Sequence, residues 1–154
     1  MKSYVDANAL VKMYLHLPGR AAAIGFLRRL PQAEVWPVPI TSLLRFEVTN
    51  AIERMVFETR NGAALGVTPE AALLAQGDFT DDFKAGQRLR LHPLNLADIE
   101  SEFESLARRH TAREGFRTYD VIHVASALTL RCARFLSFDD KANRLAKLVG
   151  LETL

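Results

Sequence analysis

The chain has 154 residues, of which 49% are hydrophobic and 25% charged, and a formal net charge of +2. That balance suits one globular domain over residues 1–154 with enough interior for a sizeable core, and no apolar run approaches the roughly 20 residues a bilayer-spanning helix needs. The single cysteine, Cys132, excludes an internal disulfide and suits a reducing cytoplasm, and an acid at position 6 argues against a secretory signal.

In chain order, Tyr4-Val5-Asp6 opens as a strand, and Ala9, Leu10, Val11 and Tyr14 then follow helical spacing. Asp6 sits at the strand-to-helix junction, where a carboxylate either caps the helix or faces a site beyond the strand end. A second helix, a strand and a long helix follow. In the long helix, Ser42 to Thr59, the residues Leu43, Leu44, Val48, Ala51, Ile52, Met55 and Val56 are read as one buried stripe. Glu47 lies four residues from Leu43 and Ala51 and is expected on the same face. A carboxylate there is costly unless it is paired, protonated or bound to a cation, with Arg45 and Arg54 as the nearby candidates for pairing.

Asn61-Gly62 ends the long helix, and Thr68-Pro69-Glu70 starts the next, with Thr68 as N-cap and Pro69 in the first turn. After a strand-like link and a further helix, Tyr119 to Leu128 forms a helix apolar nearly all round, opened by Asp120 and expected to be central. Arg134 to Phe138 is a short strand, after which Asp139 or Asp140 caps a last helix with Ala142, Leu145, Leu148 and Val149 inward. A short terminal strand completes the order. This alternation of β and α elements implies a mostly parallel sheet covered by helices.

Asp6, Glu47, Asp120 and Asp139 are therefore acids at strand ends or on apolar helices. In an open α/β sheet such positions converge at the carboxyl edge, where ligands bind. Two carboxylates about 5 Å apart at an effective dielectric of about 20 repel by roughly 3 kcal/mol, so a cluster of four needs cations, retained protons or intruding basic groups. All-oxygen ligands favour Mg²⁺ or Mn²⁺ over zinc.

At these residues the chain resembles the PIN-domain family, most closely the VapC-type toxin ribonucleases of type II toxin–antitoxin pairs. The resemblance spans essentially the whole chain. It rests on Tyr4-Val5-Asp6-Ala7-Asn8-Ala9-Leu10-Val11-Lys12, Arg45-Phe46-Glu47-Val48-Thr49-Asn50-Ala51, Arg109-His110-Thr111 through Tyr119-Asp120-Val121-Ile122-His123-Val124-Ala125, and Phe135-Leu136-Ser137-Phe138-Asp139. It implies a three-layer α/β/α fold with a central, mostly parallel sheet, and a Mg²⁺- or Mn²⁺-dependent endoribonuclease. Asp6, Glu47, Asp120 and Asp139 match the family's four acidic positions, with Asp6, Asp120 and Asp139 as metal ligands. Asn8 and Ser137 match polar positions that support those ligands, Ser137 standing where threonine is common. Asp140 adds an acid beside the fourth position and leaves the register there open. The resemblance also implies an RNA substrate, a small VapB-like antitoxin whose side chains enter the acidic groove, and a homodimer.

Two readings compete with the nuclease. One is a PIN domain that binds RNA or protein without cutting. The other is a phosphotransfer domain of haloacid-dehalogenase or receiver type, which would want a second aspartate at position 8, where Asn8 stands, or an acidic pair at the first strand. Other features carry less. Asp78, Asp81 and Asp82, beside Phe79 and Phe83, read as the exposed side of an amphipathic helix. Arg108, Arg109, Arg113 and Arg117, with Lys141, Arg144 and Lys147, read as solvated helix faces that would be able to hold phosphate. His123, one helical turn after Asp120, reads first as packing beside the site and second as a group that orients a ligand or an RNA phosphate, Cys132 as a small buried hydrophobe, and Trp36 first as strand packing and second as a base-stacking side chain. His16, His92 and His110 lack metal-ligand spacing.

Overall fold

The computed structural model describes residues 2–15, 17, 21, 25 and 37–153. Strand β1 (Ser3–Val5) leads into helix α1 (Ala7–Tyr14), and β2 (Val38–Ile40) leads into the long α2 (Ser42–Arg60). Helix α3 (Pro69–Ala85), strand β3 (Leu89–Leu91), helices α4 (Leu96–Leu106) and α5 (Thr118–Thr129), strand β4 (Arg134–Leu136) and helix α6 (Asp140–Leu148) follow. Ala21 and Gly25 are helical, and the rest of the second helix expected from the sequence lies outside the described residues, as do His16 and Trp36, the latter expected on a strand. The expected terminal strand is a single parallel bridge between Glu152 and Arg134.

The strands are parallel, as the β–α alternation requires, and the six helices flank them. Their ladders form two pairs, β1 with β4 and β2 with β3. Val5 registers with Leu136 and Ile40 with Leu91, while β1 also packs beside β2 without a ladder between them. All three residues of β1 and of β2 are buried. The helices fall into two packing sets, α1 with α2 and α3, and α5 with α4 and α6, so apolar side chains meet the strands from both groups.

Caps fix where helices begin. The Thr41 hydroxyl accepts the Leu44 N–H at 3.1 Å, and Thr68 accepts that of Ala71 at 3.1 Å with Pro69 at the first helical position. These caps supply acceptors for N–H groups without an intrahelical partner, each worth about 1 kcal/mol.

Burial corrects two expected stripes. In α2 the core line is Leu44, Val48, Ile52 and Val56, whereas Leu43, Ala51 and Met55 are half-buried beside it with Glu47. A line at strict four-residue spacing packs inward, and its neighbour one residue earlier faces a groove. Truncating Leu44 or Ile52 to alanine would cost about 2–5 kcal/mol. In α6 the inward set is Ala142, Leu145 and Ala146, Val149 is half-buried against the core, and Leu148, the last residue of the helix, is exposed.

Before α5, the chain passes through a π-helical turn (Ala107–Thr111) and one further helical turn (Ala112–Glu114), then bends at Gly115. Gly115 has φ +67°, a left-handed conformation that a Cβ disfavours. The bend buries Phe116 and delivers Arg117 to the N-terminus of α5. Lys141 donates to the Gly115 carbonyl at 3.2 Å and Arg144 pairs with Glu114 at 2.6 Å, tying α6 to this turn. The start of α5 is thereby held against the start of α6.

Candidate metal centre

Asp6, Glu47, Asp120 and Asp139 all line one groove, of about 680 Å³. They arrive from four places: the end of β1, the middle of α2, the first turn of α5 and the N-cap of α6.

Asp6 is the most elaborately held. It is buried, and its Oδ1 accepts the Ala7 N–H at 2.6 Å, so it caps α1 as well as facing the groove. Its Oδ2 accepts the Ser137 hydroxyl at 2.7 Å and the Asn8 side-chain amide at 3.2 Å. Asn8 also donates to Ser137 Oγ at 3.0 Å, and its carbonyl accepts the Phe138 N–H at 3.0 Å. The Ser137 oxygen accepts the Asp139 N–H at 2.9 Å. One polar unit thus stitches the ends of β1 and β4 together and orients two of the acids. Burial raises the pKa of Asp6, an effect the nearby Glu47 increases and His123 and Ser137 oppose.

Asp139 divides its two oxygens between tasks. Oδ1 accepts from Lys141 N at 2.8 Å and Ala142 N at 3.1 Å, capping α6, while Oδ2 meets the Arg117 guanidinium at 2.7 Å. Asp139 therefore both caps and faces the groove, and Asp140 is the first residue of the helix. Burial works against its charge, but the two N–H groups and Arg117 outweigh burial and lower its pKa. Asp120 is buried, accepts the Arg117 backbone N–H at 2.9 Å, and pairs with the same guanidinium at 3.3 Å. Arg117 thus bridges two acids that would otherwise repel, and its own pKa is raised by them, Asp120 foremost.

Glu47 meets neither Arg45 nor Arg54. Its Oε2 hydrogen-bonds His123 Nε2 in a short contact, and Arg54 pairs instead with Glu58 at 2.9 Å. His123 is buried, with Nδ1 at 2.9 Å from the Tyr4 hydroxyl and Nε2 at 3.7 Å from Asp6. Burial alone would lower its pKa, but Glu47 and Asp6 overcome that and raise it. Asp6, Glu47 and His123 each place one ligand atom within 4.8 Å of the others.

Three contributors rank too low when read from the sequence. His123 reads first as packing and only second as a group that orients a ligand, although it lies three residues after Asp120 on one helix face, the spacing that carries it to the groove. Arg117 looked like one of several solvated basic residues. Among these, Arg108 does pair locally with Glu104 and Arg109 with Ser105. Arg117 differs because the bend at Gly115 sets it at the start of α5, where its exposed guanidinium reaches both Asp120 and Asp139. Tyr4 gave no signal beyond an apolar strand, yet it is fully buried and its hydroxyl touches the site histidine.

The donor set suits a hard divalent cation. Carboxylate oxygens dominate it, and the negative charge they concentrate is met in the protein by His123 and Arg117. A family model described as PIN domain matches residues 3–148, and the chain belongs to that family. PIN domains are typically metal-dependent nucleases. No curated protein matches the chain. Among the described residues no helix is long and apolar enough to cross a membrane.

Proposed function

We propose that this protein is a Mg²⁺- or Mn²⁺-dependent endoribonuclease of VapC type, the toxin of a toxin–antitoxin pair. The observation that carries the reading is the meeting of four carboxylates, 133 positions apart at their extremes (Asp6 and Asp139), in one groove. Structural capping alone explains each acid's location but not their convergence.

In this reading Asp6, Asp120 and Asp139 hold the cation. When bound, it lowers the pKa of water and stabilises the charge that develops on the phosphate and leaving oxygen. Glu47 holds the attacking water by hydrogen bonding and takes up its proton. Asn8 and Ser137 keep the Asp6 carboxylate in one orientation, which spares the site that ordering at the moment of reaction. Arg117 compensates Asp120 and Asp139 and, once a cation takes over that task, is free to pair with an RNA phosphate. Exposed Phe46 and Tyr119 on the groove wall suit unpaired bases.

The reading entails further partners: RNA as substrate, a VapB-like antitoxin whose basic or bulky side chains fill the groove, a second copy of the chain in a homodimer, and a cytoplasmic setting. The test is RNA cleavage by wild type and Asp120→Ala, both verified as folded by circular dichroism, with Mg²⁺, with Mn²⁺ and with chelator. Metal-dependent cleavage by wild type alone supports the nuclease. Equal behaviour of both proteins, with RNA still bound, supports a silent binding module instead.

A further inference from the structure

His123 has the geometry of a metal ligand, since its Nε2 lies with Asp6 and Glu47 oxygens in a space of 4.8 Å. Hydrogen-bond chemistry points elsewhere. An ionised glutamate only accepts, so the short Glu47–His123 contact requires a hydrogen on Nε2 whether the ring is neutral or charged. The other nitrogen is engaged too, by the Tyr4 hydroxyl at 2.9 Å. Neither nitrogen keeps a free lone pair for a cation.

We infer that His123 is a positioning residue, not a ligand: it donates Nε2–H to Glu47 and holds that carboxylate over the acid cluster, with Tyr4 fixing the ring. The inference rests on the nuclease reading for its consequence, though not for its geometry. Glu47 needs such a partner. Its side chain is 31% exposed on a helix flank, with three rotatable bonds and neither Arg45 nor Arg54 paired to it. His123 needs one as well, because its own side chain is 3% exposed and a buried imidazole without partners is costly. Tyr4 is suited to its part. The phenol is wholly buried with its hydroxyl on Nδ1, and a hydroxyl can either donate to that nitrogen or accept from it. Tyr4 also stacks on Phe135 with centroids 5.7 Å apart and ring planes within 4°. The strand pair β1–β4 thereby anchors the tyrosine, the tyrosine anchors the histidine on α5, and the histidine anchors the glutamate on α2.

The first experiment is ¹⁵N NMR of the imidazole in the full-length protein, before and after Mg²⁺. The expected result is a proton on Nε2 in both states. A deprotonated Nε2, or one that loses its proton when Mg²⁺ binds, overturns the inference and makes His123 a ligand. The second is Mn²⁺ titration by calorimetry, with RNA cleavage measured alongside. His123→Ala is expected to weaken Mn²⁺ binding and cleavage by about 10- to 100-fold, the usual cost of losing a group that orients a ligand. His123→Gln, whose amide can still donate to Glu47, is expected to recover most of the loss, and Tyr4→Phe to lose less than His123→Ala. If His123→Ala folds and matches wild type in both readouts, the positioning role is wrong. Should His123→Ala not fold, Tyr4→Phe and the NMR of wild type decide the matter. Wild type that binds no Mn²⁺ yet carries its proton on Nε2 would sink the nuclease reading while supporting the His123–Glu47 unit.

Discussion

Two groups of acids on this molecule have opposite origins. Asp78, Asp81 and Asp82 are neighbours in sequence on α3, and their charge is dispersed: Asp78 and Asp81 face solvent, while Asp82 accepts the Tyr14 hydroxyl at 2.8 Å and lies 3.5 Å from Arg88. Asp6, Glu47, Asp120 and Asp139 are distant in sequence, yet share one groove, and Asp6 and Asp120 are buried. Density of acids along a chain therefore says little. What matters is whether the fold removes them from water and aims them at one another, because repulsion grows as the effective dielectric falls. The groove acids carry a neutralisation problem that the α3 acids do not, and the protein answers it with His123 and Arg117.

The largest expected effect that tests this contrast is Asp6→Asn. Removing one charge at a buried acid, while leaving an oxygen to cap α1, is expected to cost about 4 kcal/mol of transition-state stabilisation, about a thousandfold in RNA cleavage. Its thermal unfolding midpoint should stay near wild type, and retained cleavage would place the chemistry elsewhere.

Tyr14→Phe should act on the other region alone. It deletes the hydroxyl that meets Asp82 from a ring buried against Phe79, so stability should fall by about 1 kcal/mol in denaturant titration. Cleavage should not change. A matched loss of activity would mean that the two regions are coupled.

Arg117→Ala should reveal the neutralisation directly. Arg117 is 64% exposed, so its pairs are screened and their loss should cost the metal-free protein less than about 1 kcal/mol. Added Mg²⁺ is expected to restore that loss, since Asp120 and Asp139 would hold the cation in the proposed reading and so regain a positive partner. Melting curves with and without Mg²⁺ check this, and a deficit that Mg²⁺ leaves untouched would separate Arg117 from the metal site. Smallest of all, the double substitution Asp78→Asn and Asp81→Asn should shift stability by no more than about 0.5 kcal/mol. Mn²⁺ binding should remain as in wild type, and a weakened affinity would break the distinction between the two groups.

Much of the architecture was legible because periodicity and capping are local. Thr68 and Pro69 announce α3, Asn61-Gly62 closes α2, and the alternation of strands with helices implies parallel pairing. Less legible was which of two adjacent stripes on α2 packs inward, since Leu43 and Leu44 are equally apolar. Only the neighbouring elements decide that Leu44 enters the core and that Leu43 stands beside Glu47 on the groove.

The sequence by itself determined the β–α order, the helix starts, and four acids at positions that an α/β sheet gathers at one edge. Tertiary structure alone decided how those acids are held. Asp139 serves cap and groove with separate oxygens, the exposed Arg117 bridges Asp120 and Asp139, and Tyr4 reaches His123 across 119 positions. The physical reason is that capping and periodicity are written in residues three or four apart, whereas compensation of buried charge depends on partners brought together by folding.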